Sequence, residues 1–166
     1  MARCLIIGCG CRGQSLAGVL VGRGHAVRGT ARQPSRLRAI ETAGAEAALA
    51  DPDRVATLVH TLDHVTVACI LLGSAVGPPE LLRALHGTRL EMLLTRLVDT
   101  TVKGVVYEAS GSVDAEVLAR GSELVRAFGQ RTHARVSVLS ADPADHQAWL
   151  SAAAGSVEAL LAPPGP

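Results

Sequence analysis

The chain has 166 residues, 48% of them hydrophobic, with 16 basic against 15 acidic side chains and a formal net charge of +1. With that balance and only one Trp, one Tyr and one Phe, it has neither the basic field nor the aromatic stacking platform of a nucleic-acid-binding protein. Its longest apolar stretch, around Val67 to Leu72, is far short of the roughly 20 residues a membrane span needs; only a short apolar segment lies between Met1 and Gly8, so no secretory leader is expected. The positive mean hydropathy of +0.29 suits an α/β protein whose strands are buried on both faces. One domain over residues 1–162 is expected, with 163–166 as a flexible tail.

In chain order, Arg3 to Ile7 reads as a short buried strand and Gln14 to Val21 as a helix, with Leu16, Val19 and Leu20 on one side. Between them lies Gly8-Cys9-Gly10-Cys11-Arg12-Gly13. A glycine-rich turn from strand to helix lets a backbone approach a pyrophosphate and aims the helix N-terminus at it. The first glycine (Gly8) makes the turn, the second (Gly10) clears space for the phosphates, and the third (Gly13) lets helix and strand pack closely. Glycines at this spacing also occur in plain βα turns; the order strand, glycines, helix, strand is what points to dinucleotide binding.

Gly24 to Thr30 forms the second strand and leads into Ala31-Arg32-Gln33-Pro34-Ser35-Arg36. NAD-specific folds place an Asp or Glu at the end of this strand to hold the ribose 2′-hydroxyl. Here that position falls at Ala31, with Arg32 next. A carboxylate would repel a 2′-phosphate, whereas a guanidinium fork binds it bidentately. Arg36, one turn into the next helix, and Arg12 in the glycine turn are placed to assist, unless these arginines merely solvate a surface. NADP(H) is therefore expected in preference to NAD(H), with Thr30 beside it.

Ser35 to Ala43 is helical and Gly44 ends it; Ala45 to Ala50 is a weak third strand. Asp51-Pro52 opens a further helix, with Asp51 as cap and Pro52 in its first turn. His64 to Leu72 is the strongest strand. The loop from Gly73 to Gly77 follows at its C-terminal end, where such sheets bind ligands, so Leu72 and Gly73 join the expected cofactor contacts. Two leucine-rich helical segments flank Gly87, Gly104 to Glu108 is the fifth strand, Val113 to Phe128 an amphipathic helix, Val136 to Leu139 the sixth strand, and Ala144 to Leu161 the last helix. This alternation predicts a doubly wound parallel sheet of the Rossmann type, strand order 3-2-1-4-5-6, in three α/β/α layers.

The cysteines, Cys4, Cys9, Cys11 and Cys69, match no zinc spacing. Cys4 and Cys69 fall in buried strands. Cys9 and Cys11 sit in the turn, where a helix N-terminus could lower a thiol pKa, although filling the turn is the simpler role. His25, His60, His64, His86 and His133 are scattered, so no metal site is expected. The cytoplasm is the expected compartment.

With these elements placed, the chain resembles the short-chain dehydrogenase/reductase superfamily, especially its extended and atypical branches. The resemblance rests on Gly8 to Arg36, and more loosely on Gly87-Thr88-Arg89-Leu90 through Val102 to Ser110, where Ala109-Ser110 takes the place of the family's Ser-Ser. It implies a Rossmann fold that holds NADP(H). It also implies a catalytic Tyr with a Lys four residues on, in the helix after strand five, the lysine lowering the tyrosine pKa. Gly121, Ser122 and Glu123 occupy that stretch, and the only Tyr and Lys, Tyr107 and Lys103, stand in reverse order. The family's Asn before Gly-Thr is replaced by Ala84.

Ser110 is left as a candidate for holding a carbonyl, though a lone serine at a strand end is more often a turn residue. Asp142, Asp145, His146 and Trp149 offer an improvised acid/base group, with Asp142 to Asp145 more simply a helix cap. The preferred expectation is an NADP(H)-binding protein without standard reductase catalysis, serving as a cofactor-responsive or regulatory protein. An NADP-dependent oxidoreductase with a non-standard site is the alternative, followed by a Rossmann-shaped interaction module. A homodimer is also expected, because Leu90, Leu93, Leu94 and Leu97 with Val117, Leu118, Leu124 and Val125 supply more apolar surface than one sheet face covers.

Overall fold

The computed structural model describes residues 1–166. Six strands, β1 (Arg3–Ile7), β2 (Ala26–Ala31), β3 (Glu46–Leu49), β4 (Val67–Ile70), β5 (Gly104–Glu108) and β6 (Arg135–Leu139), form one sheet in the order β3-β2-β1-β4-β5-β6. Every pairing is parallel. The helices are α1 (Cys11–Gly22), α2 (Leu37–Thr42), α3 (Pro79–Leu85), α4 (Thr88–Leu97), α5 (Ala115–Thr132) and α6 (His146–Leu161), with 3-10 turns at Pro34–Arg36 and Val55–Leu62.

Alternation along the central strands sorts the core into two clusters. Cys4 and Ile6 of β1 join Val67 and Cys69 of β4 under Leu16 and Leu20 of α1 and Trp149 and Val157 of α6. Leu5 and Ile7 point the other way, with Val105 and Tyr107 of β5, against Leu90, Leu93, Leu94 and Leu97 of α4 and Val125 and Phe128 of α5. A strand covered on both faces has no polar side to present, so β4 is buried at every position. The expected doubly wound, three-layer architecture is the one observed.

Several sequence expectations change. The helix expected from Asp51 does not start there: the Asp51 carboxylate accepts from the Asp53 amide at 2.9 Å. The Thr57 hydroxyl is hydrogen-bonded within the same turn, at 3.0 Å to the Asp51 carbonyl, and the segment becomes helical only from Val55, as a 3-10 helix. Local side-chain bonding has displaced the α-helical ladder. The strand expected from His64 begins at Val67 because His64 takes a left-handed turn conformation at φ 61°.

Much of the apolar surface behind the expected dimer is covered within the chain, with Val117 and Leu124 left half-buried. Leu90, Leu93, Leu94 and Leu97 are at most 3% exposed in the single chain, and Leu118 and Val125 are buried with them.

Candidate functional site

The turn between β1 and α1 has three glycines with three different reasons. Gly8 stands at φ +80°, where a Cβ would come within 2.6 Å of the Leu71 carbonyl oxygen. At Gly13 a Cβ would press on Ile6 at 3.2 Å, so its absence lets α1 lie close to β1. A Cβ at Gly10 would meet nothing within 4 Å, which leaves the backbone open to the cleft. Gly10 is also the N-cap of α1, makes no side-chain cap bond, and no acid follows in the first turn. Uncapped amides at the positive end of a 12-residue helix leave backbone N–H donors unpaired at that end.

The turn is held from β2: the Cys9 amide donates to the Thr30 carbonyl at 3.0 Å and the Gly8 amide to the Thr30 hydroxyl at 3.3 Å. Thr30 is 1% exposed and braces the turn. Cys9 is buried against Gly29, where a Cβ would lie 2.7 Å from its Sγ. Burial pushes the Cys9 thiol up to about 12, so Cys9 is packing and not a reactive thiol. Cys11, the first residue of α1, is exposed.

Above the C-terminal ends of the strands lies a cleft of about 410 Å³, within the usual range for a small-molecule site. Gly8, Gly10, Cys11, Arg12, Gly13, Thr30, Arg32, Arg36 and Leu72 all line it. Arg32 and Arg36 stand at its β2 end and form no ion pair within the chain. Asp51 and Asp53, after β3, and Leu81, Leu82 and Leu85 of α3 complete that side. Gly73 and Ser110, both expected at the site, are not among the lining residues. Gly73 is pressed against Ser110 and Glu108, leaving no room for a Cβ.

At the other end stands an assembly that sequence reasoning missed. Glu108, the last residue of β5, is fully buried. One carboxylate oxygen accepts from the Gly73 amide at 2.8 Å, the other from the Trp149 indole N–H at 2.9 Å. The Arg12 guanidinium approaches Glu108 at 3.7 Å and lies over the Trp149 ring, 5.6 Å from its centroid. Burial raises the Glu108 pKa above its ordinary value, against the opposing pull of the Gly73 amide, Arg12 and the Trp149 N–H. Arg12 Nε is buried without a partner. The sequence signal was a single carboxylate closing the otherwise apolar strand Gly-Val-Val-Tyr-Glu. Of the improvised group, Trp149 reaches the cleft, while Asp142, Asp145 and His146 do not line it; the Asp145 carboxylate caps α6 by accepting from the Ala148 amide at 3.1 Å.

Tyr107 is turned away from this chemistry. Its hydroxyl lies 2.7 Å from His86 Nδ1, and His86 Nε2 lies 3.0 Å from the Leu72 carbonyl. A carbonyl only accepts, so Nε2 carries the proton and Nδ1 accepts from the tyrosine. Burial lowers the His86 pKa and raises that of Tyr107, so both stay neutral at physiological pH. Lys103 precedes the first residue of β5 and is exposed, so no Tyr–Lys pair exists.

A phosphate-approachable glycine turn at the end of β1 in a 3-2-1-4-5-6 parallel sheet decides the architecture. This is a Rossmann fold. No family model matches the chain, and no curated protein matches it in sequence. Solved structures share the fold. The chain is similar to a UDP-glucuronic acid 4-epimerase from Bacillus cereus, in complex with NAD, at 14% identity over 84% of this chain and 56% of that one, with a TM-score of 0.69. Vestitone reductase from alfalfa matches at 18% identity over 83% and 56%, with a TM-score of 0.64. A short-chain dehydrogenase from Streptomyces avermitilis matches at 17% identity over 99% and 85%, with a TM-score of 0.69. The chain thus spans about half the length of the epimerase and the reductase. No helix of the Rossmann domain is long and apolar enough to cross a membrane.

Proposed function

We propose that the chain is an NADP(H)-binding Rossmann protein of the atypical short-chain dehydrogenase/reductase type, with a regulatory or cofactor-responsive role in place of standard reductase catalysis. The observation that carries the reading is the pair of unpaired arginines, Arg32 and Arg36, on the cleft wall after β2, where an NAD-specific fold has a carboxylate and this chain has Ala31. The open Gly10 and the uncapped start of α1 fit a pyrophosphate. Asp51 offers a carboxylate to the exocyclic amine of an adenine, with Leu81 and Leu82 beside it. When bound, a nicotinamide cofactor supplies hydride chemistry. The chain's own contribution is to bind and orient the nucleotide, since Tyr107 and Lys103 cannot move a proton together. The alternative, an oxidoreductase built on Ser110, loses support because Ser110 stands off the cleft.

The four free cysteines suit a reducing compartment such as the cytoplasm. A homodimer through α4 would rest on Met92 and Val98, which are exposed; sedimentation showing a monomer at tens of micromolar would remove it. The test of binding is a titration with NADPH and NADH, followed by nicotinamide fluorescence and by quenching of Trp149. The expected outcome is NADPH binding at least tenfold tighter than NADH, about 1.4 kcal/mol, with the preference lost in Arg32→Ala. Equal affinity for the two nucleotides overturns the NADP assignment.

A further inference from the structure

The cleft is lopsided. The ends of β1, β2, β3 and β4 all contribute lining, whereas the β5 and β6 side contributes only Glu108 and Trp149. A doubly wound fold of this order binds a dinucleotide across two mononucleotide halves, one on each side of the β1/β4 crevice. In this chain the loops that flank the second half are fastened to each other. The loop after β5 is bonded to the loop after β4: the Val113 amide donates to the Gly73 carbonyl at 3.0 Å and the Ser112 amide to the Ser74 hydroxyl at 3.3 Å. Gly111 sits against the Gly73 backbone with no space for a Cβ on it, so the two loops interlock through their glycines. Glu108 closes the seam from below through the Gly73 amide. Arg12 then covers Trp149, and the three side chains form a wall across the cleft at the end of the glycine turn.

That wall carries an unmet donor. Arg12 Nε is buried and has no acceptor in the chain, while the Arg12 side chain as a whole is 31% exposed and lines the cleft. The exposed part of Arg12 neighbours the uncapped N-terminus of α1, so an oxygen of a diphosphate lying on that terminus would find a guanidinium of the right charge beside it.

Building on the reading of the cleft as an NADP(H) site, we propose that it recognises only the adenosine half of the nucleotide. The ligand class is a 2′-phosphorylated adenosine diphosphate, such as 2′-phospho-ADP-ribose, whose diphosphate ends against Arg12. The nicotinamide ring, if present, stays in solvent outside the Arg12–Trp149–Glu108 wall. The protein would then report the adenine nucleotide phosphate without regard to the redox state of the nicotinamide.

Calorimetry and Trp149 fluorescence with NADPH, NADP⁺, 2′-phospho-ADP-ribose and reduced nicotinamide mononucleotide test this on the intact chain. The expected result is that the first three bind within about threefold of one another, that the mononucleotide gives no heat, and that the emission of bound NADPH keeps the wavelength and yield of the free cofactor. A loss of about tenfold or more on removing the nicotinamide, or a blue-shifted and enhanced emission from bound NADPH, overturns the proposal and leaves the NADP(H) reading standing. Absence of binding by NADPH and 2′-phospho-ADP-ribose alike overturns both.

Discussion

At the scale of single residues, Glu108 is the most consequential side chain in the molecule. A buried carboxylate is tolerated only with donors around it, and here the Gly73 amide, the Trp149 indole and Arg12 surround one. Its folded-state pKa is nevertheless raised, with burial the largest cause. A raised acid binds its proton more tightly in the folded than in the unfolded chain, so its contribution to stability is fully present below the ordinary value near 4.5 and is lost as pH rises through the raised folded value. Glu108→Gln is expected to flatten the fall in urea midpoint over that window, because the amide does not titrate. Absolute stability should drop by about 1–3 kcal/mol, since the amide NH2 that replaces one carboxylate oxygen faces a donor and cannot accept from it. An unchanged pH profile in the variant would show that Glu108 is not the group responsible. None of this was legible from the sequence: a glutamate at a strand end looks solvated until the fold brings Trp149 from 41 positions away.

At the scale of elements, α5 and α6 owe their positions to a glycine and a cap. Gly121 of α5 faces Tyr107 so closely that a methyl there would overlap the phenol. Alanine favours an exposed helix by about 1 kcal/mol over glycine, yet Gly121→Ala should destabilise by about 1–3 kcal/mol through overpacking. Tyr107→Phe, which removes the hydroxyl nearest that position, should relieve part of the loss; equilibrium denaturation of both single variants and the double variant measures the coupling. In α6 the Asp145 cap holds the helix that delivers Trp149, and Asp145→Ala should cost about 1 kcal/mol, read as a lower thermal midpoint. Strand and helix positions were largely readable from apolar periodicity, and the weak third strand proved real because Glu46 to Leu49 pairs with Arg28 to Ala31. The 51–62 segment was misread because apolar spacing does not distinguish a 3-10 helix from an α-helix once Thr57 and Asp51 bond locally.

At the scale of the whole molecule, the binding half of the site was legible and the closed half was not. Glycine spacing, a strand end and an arginine lie within a short stretch of chain, so the sequence already points to residues 8–36 as one side of a cleft. The seal between Gly73 and Gly111, and the leucines of α4 turned inward, depend on which loops and layers meet, which no local pattern records. A 2′-phosphorylated nucleotide present at about 100 times its Kd should stabilise the fold by about 2.7 kcal/mol, seen as a shifted unfolding transition, whereas NADH at the same concentration, bound at least tenfold more weakly, should give no more than about 1.4 kcal/mol. No shift from either nucleotide would count against the cleft as a nucleotide site.

The wall of the cleft joins residue 12 of the first helix to residue 149 of α6, and α6 is fastened again to the turn after α1, where His25, just before β2, meets Glu158 at 3.0 Å. During synthesis, which delivers the N-terminal half first, the glycine turn and its arginines leave the ribosome long before α6 does. A nascent chain therefore displays the glycine turn with no wall behind it. Arg12 lacks both the ring it stacks on and the helix that braces its carboxylate partner until α6 docks. Completion of the site thus waits on α6, and a nucleotide that needs the finished cleft would favour chains in which residues 12 and 149 have met.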